Sequence, residues 1–269
     1  MRVCVLILIE CIACAALAAK SYTVDGVVVA LDPVGRTMLV SHRPIARYMG
    51  AMMMPFRVAD RRELEGLFPG VRVQFELVVA KDHSLARHVR RWGDGVAEIP
   101  APRERLPIGA ALGDFELTDQ SGRVVRSADL RGKVLAINFI YTRCPLPDVC
   151  PRLAANFAAL QHRFPKELGR GLVLLSVTVD PDYDTPPVLG AYARRWGADG
   201  QGWRFLTGDI AKLAGQLGEV YWADEGSIGH NSTTSVIGRD GKLAAVLEGT
   251  SYRVDQIEHV IGRELEDAR

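Results

Sequence analysis

The sequence predicts a mixed fold, with a small N-terminal β-barrel domain followed by an α/β domain. The chain has 269 residues, more than the roughly 100–200 of one typical domain. Residues 22–96 contain short strand-like segments in which polar and apolar residues alternate, whereas residues 133–179 contain two apolar runs around a helical pattern. A proline-rich stretch, residues 99–107, lies between the two patterns and predicts a linker.

The charge of the chain is nearly balanced. Lys and Arg number 33 against 32 Asp and Glu, which gives a formal net charge of +1. The charged fraction of 24% and the hydrophobic fraction of 48% are those of an ordinary globular protein. The balance argues against a nucleic-acid partner, and the composition argues against a disordered tail.

Residues 1–19 have the pattern of a secretory signal peptide. Arg2 precedes an apolar run, and the segment ends on small residues up to Ala19. A spanning helix needs roughly 20 apolar residues, and Glu10 interrupts this one, so we expect cleavage. The alternative is an uncleaved membrane tether. The expected location is the periplasm, where the two remaining cysteines would normally form a disulfide.

The N-terminal domain, residues 20–98, is predicted to contain strands. Turn signals at residues 32–36 and at Pro69-Gly70 separate segments with alternating polarity. The predicted strands cover residues 22–30, 37–42, 52–58 and 71–79. Short strands with tight connections indicate a small closed or partly closed barrel.

The C-terminal domain, residues 108–269, alternates strands with helices. The runs over residues 133–140 and 171–179 are continuously apolar, as expected of strands buried on both faces, and residues 152–164 have helical spacing. These three segments predict a βαβ unit. The other predicted elements are helices over residues 185–196, 209–220 and 253–265, and a hairpin over residues 232–236 and 243–247.

Two cysteines lie in the loop between the first strand and the helix of the βαβ unit. Pro145 and Pro147 exclude a helix between Cys144 and Cys150, so the loop can fold one thiol back toward the other. Pro151 suits the first helical position, which would make Cys150 the N-cap and favour its thiolate. Three interpretations remain open: a structural disulfide, a redox pair and a pair of ligands for a soft metal.

Four methionines fall within six positions, shortly after a histidine. Met49 precedes the triplet Met52-Met53-Met54, and His42 ends the previous predicted strand. In a strand, Met52 and Met54 share one face. Thioethers with one imidazole suit Cu(I) or Ag(I) where free thiols are oxidised. Methionine packing in a core is the alternative, but no methionine follows Met54, so the clustering favours a metal site.

Several motifs follow one another along the C-terminal domain. They include Tyr-Thr-Arg-Cys144-Pro, Val-Cys150-Pro, Ser-Val-Thr-Val-Asp180-Pro and Gly-His230. Through them, residues 108–265 resemble the Sco/SenC family of copper chaperones. The resemblance implies a thioredoxin-like fold and copper ligation by Cys144, Cys150 and His230, with Asp180 supporting the site. The family has three residues between its cysteines, and this chain has five.

The histidine and methionine motifs of the N-terminal domain carry a second resemblance. Ser41-His42 and Met52-Met53-Met54 are similar to the motifs of the CusF-like periplasmic copper-binding domain, over residues 22–92. The resemblance implies an OB-like barrel and copper ligation by His42, Met52 and Met54. The family has an aromatic residue three positions before the first methionine, where this chain has Met49. Met49 implies either a fourth sulfur ligand or a more open site.

Together the two resemblances imply a periplasmic copper chaperone with two sites, an N-terminal Cu(I) site and a Cys/Cys/His site that takes Cu(I), Cu(II) or both. They further imply delivery of copper to the dinuclear copper centre of cytochrome c oxidase, reduction of the cysteines of that centre, or both. The implied partner is an oxidase subunit or another periplasmic copper protein. No catalysed covalent chemistry is required. The alternatives are a thiol–disulfide oxidoreductase that uses Cys144 and Cys150, and a copper-resistance buffer without an oxidase client. Oxidoreductases of this fold usually carry Cys-x-x-Cys, and this loop is three residues longer.

Overall fold

The computed structural model describes residues 19–81, 83–100, 104–224 and 227–266. All but the last residue of the predicted signal segment therefore lies outside the described residues. Within the described ranges, every helix is too short or too polar to cross a membrane.

The N-terminal region is a five-stranded antiparallel sheet. Its strands in chain order are β1 (Lys20–Asp32), β2 (Thr37–His42), β3 (Met52–Arg57), β4 (Val71–Val79) and β5 (Ser84–Val96). Their order in space is β3-β2-β1-β4-β5, so the long strand β1 pairs with both β2 and β4. The four predicted strands are confirmed.

The edge strands of this sheet approach each other at one point. Val58, just after β3, forms an isolated parallel bridge with Ala86 in β5, and the Ala59 N–H donates to the Ala86 carbonyl at 3.0 Å. Among the described strands, no continuous ladder joins β3 to β5. The mostly β character of this region is confirmed, and its closure into an OB-like barrel stays a prediction.

Strand β5 is an addition to the predicted set. All of its residues from Arg87 onward except Val89 are exposed, so the apolar alternation that marks a half-buried strand is missing. Pairing with β4 holds it in place, and this long-range interaction leaves little trace in the local sequence.

The C-terminal region is a seven-stranded sheet with helices packed against it. Its elements in chain order are β6 (Glu116–Asp119), β7 (Val124–Arg126), β8 (Val134–Ile140), α1 (Cys150–Arg163), β9 (Leu172–Thr178), α2 (Pro186–Arg195), β10 (Trp203–Thr207), α3 (Ala211–Leu217), β11 (Tyr221–Asp224), β12 (Ser227–His230), β13 (Thr234–Ile237), β14 (Leu243–Leu247) and α4 (Val254–Glu266). The strand order is β14-β13-β8-β9-β10-β6-β7, and β11 pairs with β12 in a separate hairpin.

The parallel strands β8, β9 and β10 form the centre of this sheet. Both β8 and β9 are buried along their whole length, and α1 between them packs Leu153, Phe157 and Leu160 into the same core. The predicted βαβ unit is confirmed, as are the helices α2 and α4 and the hairpin of β13 and β14. The loop that carries Cys144 therefore follows the carboxyl end of a central strand, where α/β folds place ligand-handling residues.

An apolar cluster joins the two regions. Val27, Val29 and Ala97 of the N-terminal region pack with Val220 and Trp222 of the C-terminal region. Alternate residues of β1 point instead into the N-terminal core, so this strand buries both of its faces. This docking brings the methionine strand β3 close to the cysteine loop.

Candidate metal centre

The loop between β8 and α1 carries Cys144, and two carboxylates anchor the residues before it. Asp184 accepts the backbone N–H of Thr142 at 3.0 Å. Asp180 accepts two hydrogen bonds from the Arg143 guanidinium, at 3.0 and 2.6 Å. Because Thr142 and Arg143 directly precede Cys144, these contacts fix the position of the Cys144 backbone. Asp180 thus contacts the residue before Cys144, and its support of the site stays a prediction.

Helix α1 begins at Cys150, one residue earlier than predicted. Val149 is the N-cap and Pro151 takes the second helical position, where a missing N–H is also tolerated. Cys150 is fully buried, and its Sγ lies 3.6 Å from Nε2 of His230. Cys144 is half-buried, and both cysteines are free thiols.

A buried carboxylate orients His230. Nδ1 of His230 donates to Oε1 of Glu219 at 2.8 Å, and the two side chains are 2% and 0% exposed. Glu219 also accepts the backbone N–H groups of Ser232 and Thr233, at 3.2 and 2.9 Å. With Nδ1 protonated and fixed, the lone pair of Nε2 points toward Cys150. A carboxylate behind a histidine is the usual support of a metal-binding imidazole.

The two thiols differ in acidity, in the direction opposite to the predicted one. A hydrogen bond from Cys150 lowers the pKa of Cys144 to about 6. Burial raises the pKa of Cys150 well above its ordinary value. The helix N-terminus next to Cys150 was expected to favour its thiolate, but the loss of solvation outweighs that partial charge.

The C-terminal site is partly assembled. Cys150 and His230 are adjacent, and Cys144 is within hydrogen-bonding reach of Cys150. In the described ranges, however, no three His, Cys, Asp or Glu side chains form a ready-made metal cluster. The structure therefore brings together the sulfur of Cys150 and the Nε2 nitrogen of His230. The sulfur of Cys144 lies beside them, on the loop before α1.

The N-terminal site has a histidine opposite a methionine. His42, the last residue of β2, pairs with Met52, the first residue of β3, and Val40 pairs with Met54. His42 is 2% exposed, and its Nδ1 donates to the Arg43 carbonyl at 2.8 Å. Its Nε2 is buried and has no hydrogen-bond partner among the described residues. Burial lowers the pKa of His42, which favours the neutral imidazole that a metal requires.

The four methionines have different surroundings. Met54 and Met49 pack against the N-terminal core, and Met53 packs on the opposite face in the cluster between the two regions. The expected alternation within the triplet is thus confirmed. Met52 lies against Gly249 of the C-terminal region, where an added Cβ would come within 2.8 Å of the Met52 side chain.

A cavity of about 310 Å³ lies between the two regions. His42 and Met52 line it from the N-terminal side, and Cys144 and His230 line it from the C-terminal side. The sequence predicts two sites in two domains. The structure places both beside one cavity.

Glu219 is a site residue that the sequence does not reveal directly. The predicted helix over residues 209–220 would include it, but α3 ends at Leu217 because Gly218 adopts a left-handed conformation with φ of 73°. Glu219 therefore leaves the helix and turns toward His230. A glycine near the end of a helical pattern was the available signal for this ending.

Two family models match the chain. The SCO1/SenC model matches residues 105–266, and a model described as the copper binding periplasmic protein CusF matches residues 21–90. The first match covers more than half of the chain. The two matched segments coincide with the α/β region and the β-rich region described above.

Comparisons with individual relatives and solved structures agree with these family matches. A SCO1 protein homolog of Bacillus subtilis is 28% identical over 144 residues, covering 51% of this chain and 73% of that protein. The structure of a SCO1/SenC family lipoprotein from Bacillus anthracis is 29% identical, with a TM-score of 0.52, and covers 57% of this chain and 94% of that one.

A second solved structure is BsSco, described as a member of the Sco family of cytochrome c oxidase assembly proteins with a disulfide switch. It is 25% identical, with a TM-score of 0.52, and covers 61% of this chain and 98% of that one. These likenesses confirm the predicted thioredoxin-like fold of the C-terminal region.

Proposed function

The chain belongs to the SCO1/SenC family, and we propose that it is an extracytoplasmic copper chaperone for the dinuclear copper centre of cytochrome c oxidase. Copper binding is a property of this family and of the CusF domain, so copper is the cargo. The proposal adds the ligands, the client and the compartment.

The pair formed by Cys150 and His230 is the observation that carries the proposal. A buried sulfur lies 3.6 Å from an imidazole nitrogen whose other nitrogen is fixed by Glu219. Thiolate and imidazole suit copper. Cys144 completes the site by a small movement of its loop, which the half-buried position of its side chain permits.

Copper leaves such a site by ligand exchange. Cys144 is the more accessible of the two sulfurs, so an incoming thiolate of the client can share the ion there first. Cys150 and His230 are buried and hold the ion until the second client ligand arrives. Each step replaces one bond to copper with another and leaves its oxidation state unchanged.

The N-terminal site is proposed to hold Cu(I) through His42, Met52 and Met54. The unpartnered Nε2 of His42 supplies the nitrogen, and Met52 directly opposite supplies a thioether. Met54 follows on the same face, and both Met54 and Met49 pack against the N-terminal core. Neutral sulfur ligands keep affinity for Cu(I) in a compartment that oxidises thiols.

The acidity of Cys144 supports a second candidate function, reduction of the client's cysteines before metal transfer. A thiol with a pKa of about 6 is largely thiolate at neutral pH. The Cys144 thiolate would attack a client disulfide and form a mixed disulfide. Cys150 would then displace the client sulfur, which leaves a Cys144–Cys150 disulfide and two client thiols.

Gene deletion tests the proposed client. We expect a deletion strain to lose assembled oxidase activity, to regain it with the wild-type gene, and to remain deficient with Cys144→Ala/Cys150→Ala. A copper-resistance buffer gives a different result, because copper tolerance then falls while oxidase activity stays intact. Normal oxidase activity in the deletion strain at limiting copper would contradict the proposed client.

A further inference from the structure

The cavity between the two regions connects the two proposed copper sites. We infer that copper passes from His42 and Met52 to Cys144, Cys150 and His230 within one molecule, through this cavity. The inference rests on the proposed function, because it requires that both sites bind copper.

The donor end of the route opens toward the C-terminal region. Nε2 of His42 is buried without a hydrogen-bond partner in the described part of the chain, and His42 lines the cavity. Met52 lies opposite His42 in the sheet, and its side chain touches Gly249 across the boundary between the regions. A copper ion held by these two residues would thus already lie at the boundary.

The acceptor end opens onto the same space. Cys144 and His230 both line the cavity, and Cys150 lies 3.6 Å behind, beside His230. A volume of about 310 Å³ far exceeds the roughly 10–15 Å³ that one water molecule needs, which leaves room for the ion and for a shift of the Cys144 loop. The ion can therefore change ligands within this cavity.

The ligand types set the direction of transfer. The donor offers the neutral thioethers of Met52 and Met54 and an imidazole, whereas the acceptor offers two anionic thiolates and an imidazole, which bind the Cu(I) cation more strongly. Copper stays Cu(I) throughout. Bonds to His42, Met52 and Met54 break as bonds to Cys144, Cys150 and His230 form, and any proton still held by the two thiols passes to solvent.

Apolar contacts hold the two ends in place. Val29 is 1% exposed and belongs to the cluster with Val220 and Trp222 of the C-terminal region. Residues of that cluster lie outside the N-terminal core, so a charge at Val29 should separate the regions without removing the core. Val34, on the same region, is 93% exposed and offers a matched control.

The rate of transfer distinguishes a route within one molecule from exchange between molecules. Oxidised protein is loaded anaerobically with one equivalent of Cu(I), a phosphine reduces the disulfide, and the thiolate-to-copper absorption band is followed. Labelling of the free thiols measures the rate of disulfide reduction separately. For comparison, Cys144→Ala/Cys150→Ala loaded with Cu(I) is mixed with reduced apo Met52→Leu/Met54→Leu.

We expect the wild-type rate to be unchanged over a tenfold range of protein concentration. The mixed variants should transfer about 100-fold more slowly at about 10 μM, since linked sites reach effective concentrations near 1 mM. Val29→Asp should make transfer depend on concentration, and Val34→Asp should behave as wild type.

The experiment separates failure of the transfer route from failure of the two copper sites. A wild-type rate proportional to concentration, or equal to that of the mixed variants, would overturn the inference and leave the two sites intact. Failure of either site to bind copper at equilibrium would overturn the proposed function instead. If Val29→Asp fails to fold, the comparison of wild type with the mixed variants is sufficient to test whether transfer occurs within one molecule.

Discussion

Both candidate sites contain a buried histidine whose Nδ1 is occupied by a hydrogen bond within the protein. In His230 the acceptor is the Glu219 carboxylate, and in His42 it is the Arg43 carbonyl. Each contact leaves Nε2 available for metal. Nε2 of His230 faces Cys150, and Nε2 of His42 has no hydrogen-bond partner among the described residues. A carboxylate also makes the imidazole a stronger ligand, so the C-terminal histidine should bind copper more tightly.

Replacing Glu219 tests this support. We expect Glu219→Gln to weaken copper binding at the C-terminal site about 10- to 100-fold, because the histidine loses its orienting charge. Affinity at the N-terminal site should not change. Glu116→Gln is the matched control, since Glu116 is 60% exposed and forms an ion pair with Arg126 at the surface. Chelator competition measures both affinities, and equal values for the two variants would argue against a role of Glu219.

Selective alkylation tests the order of thiol acidity. In reduced apo protein at pH 7, iodoacetamide should modify Cys144 first, because its lowered pKa of about 6 makes it mostly thiolate. The rate should fall about tenfold per pH unit well below pH 6, as the thiolate becomes protonated. Cys150 should stay protected, since burial raises its pKa. Peptide mass mapping gives the order, and earlier modification of Cys150 would contradict it.

At the residue scale, the sequence points to the candidate metal ligands more directly than to the residues that support them. The clustering of methionines and the cysteine loop are visible as residue types at a given spacing. Glu219 and Arg143 act through side-chain contacts with residues that are distant in sequence, at separations of 11 and 37 positions. Such contacts form only once the chain has folded.

At the element scale, the end of α3 decides where Glu219 lies. The apolar pattern continues toward Val220, but Gly218 ends the helix in a left-handed conformation. The strands β2 and β4 agree with their predicted bounds because their alternation and turn signals coincide. Strand β5 lacks that alternation, so only its pairing with β4 reveals it.

Substitution of Gly218 tests this helix ending. Gly218→Ala should destabilise the protein by about 1–2 kcal/mol, because a side chain is strained at φ of 73° and would meet Arg105 at 3.0 Å. Gly262→Ala is the control with the opposite sign. Gly262 lies in α4 with open space around it, so alanine should stabilise the helix by about 0.5–1 kcal/mol. Denaturant unfolding measures both, and a neutral Gly218→Ala would refute the account of this turn.

At the scale of the whole molecule, chain length and composition predict two domains but not how they pack. Val27 and Val29 look like any strand residues, although they face Trp222 and not the core of their own region. The shared cavity follows from this packing, so no local pattern could predict it. What the sequence does predict is that both regions bind the same metal, since each carries soft ligands.

Cu(I) titration of reduced full-length protein tests the central claim, that each region holds its own copper site. We predict two ions for the wild type and one for Cys144→Ala/Cys150→Ala. One ion is also expected for Met52→Leu/Met54→Leu, in which leucine keeps the side-chain volume. Met38→Leu, a fully buried methionine of the N-terminal core, should keep both. A single ion in the wild type, or two ions in either double variant, would contradict the claim.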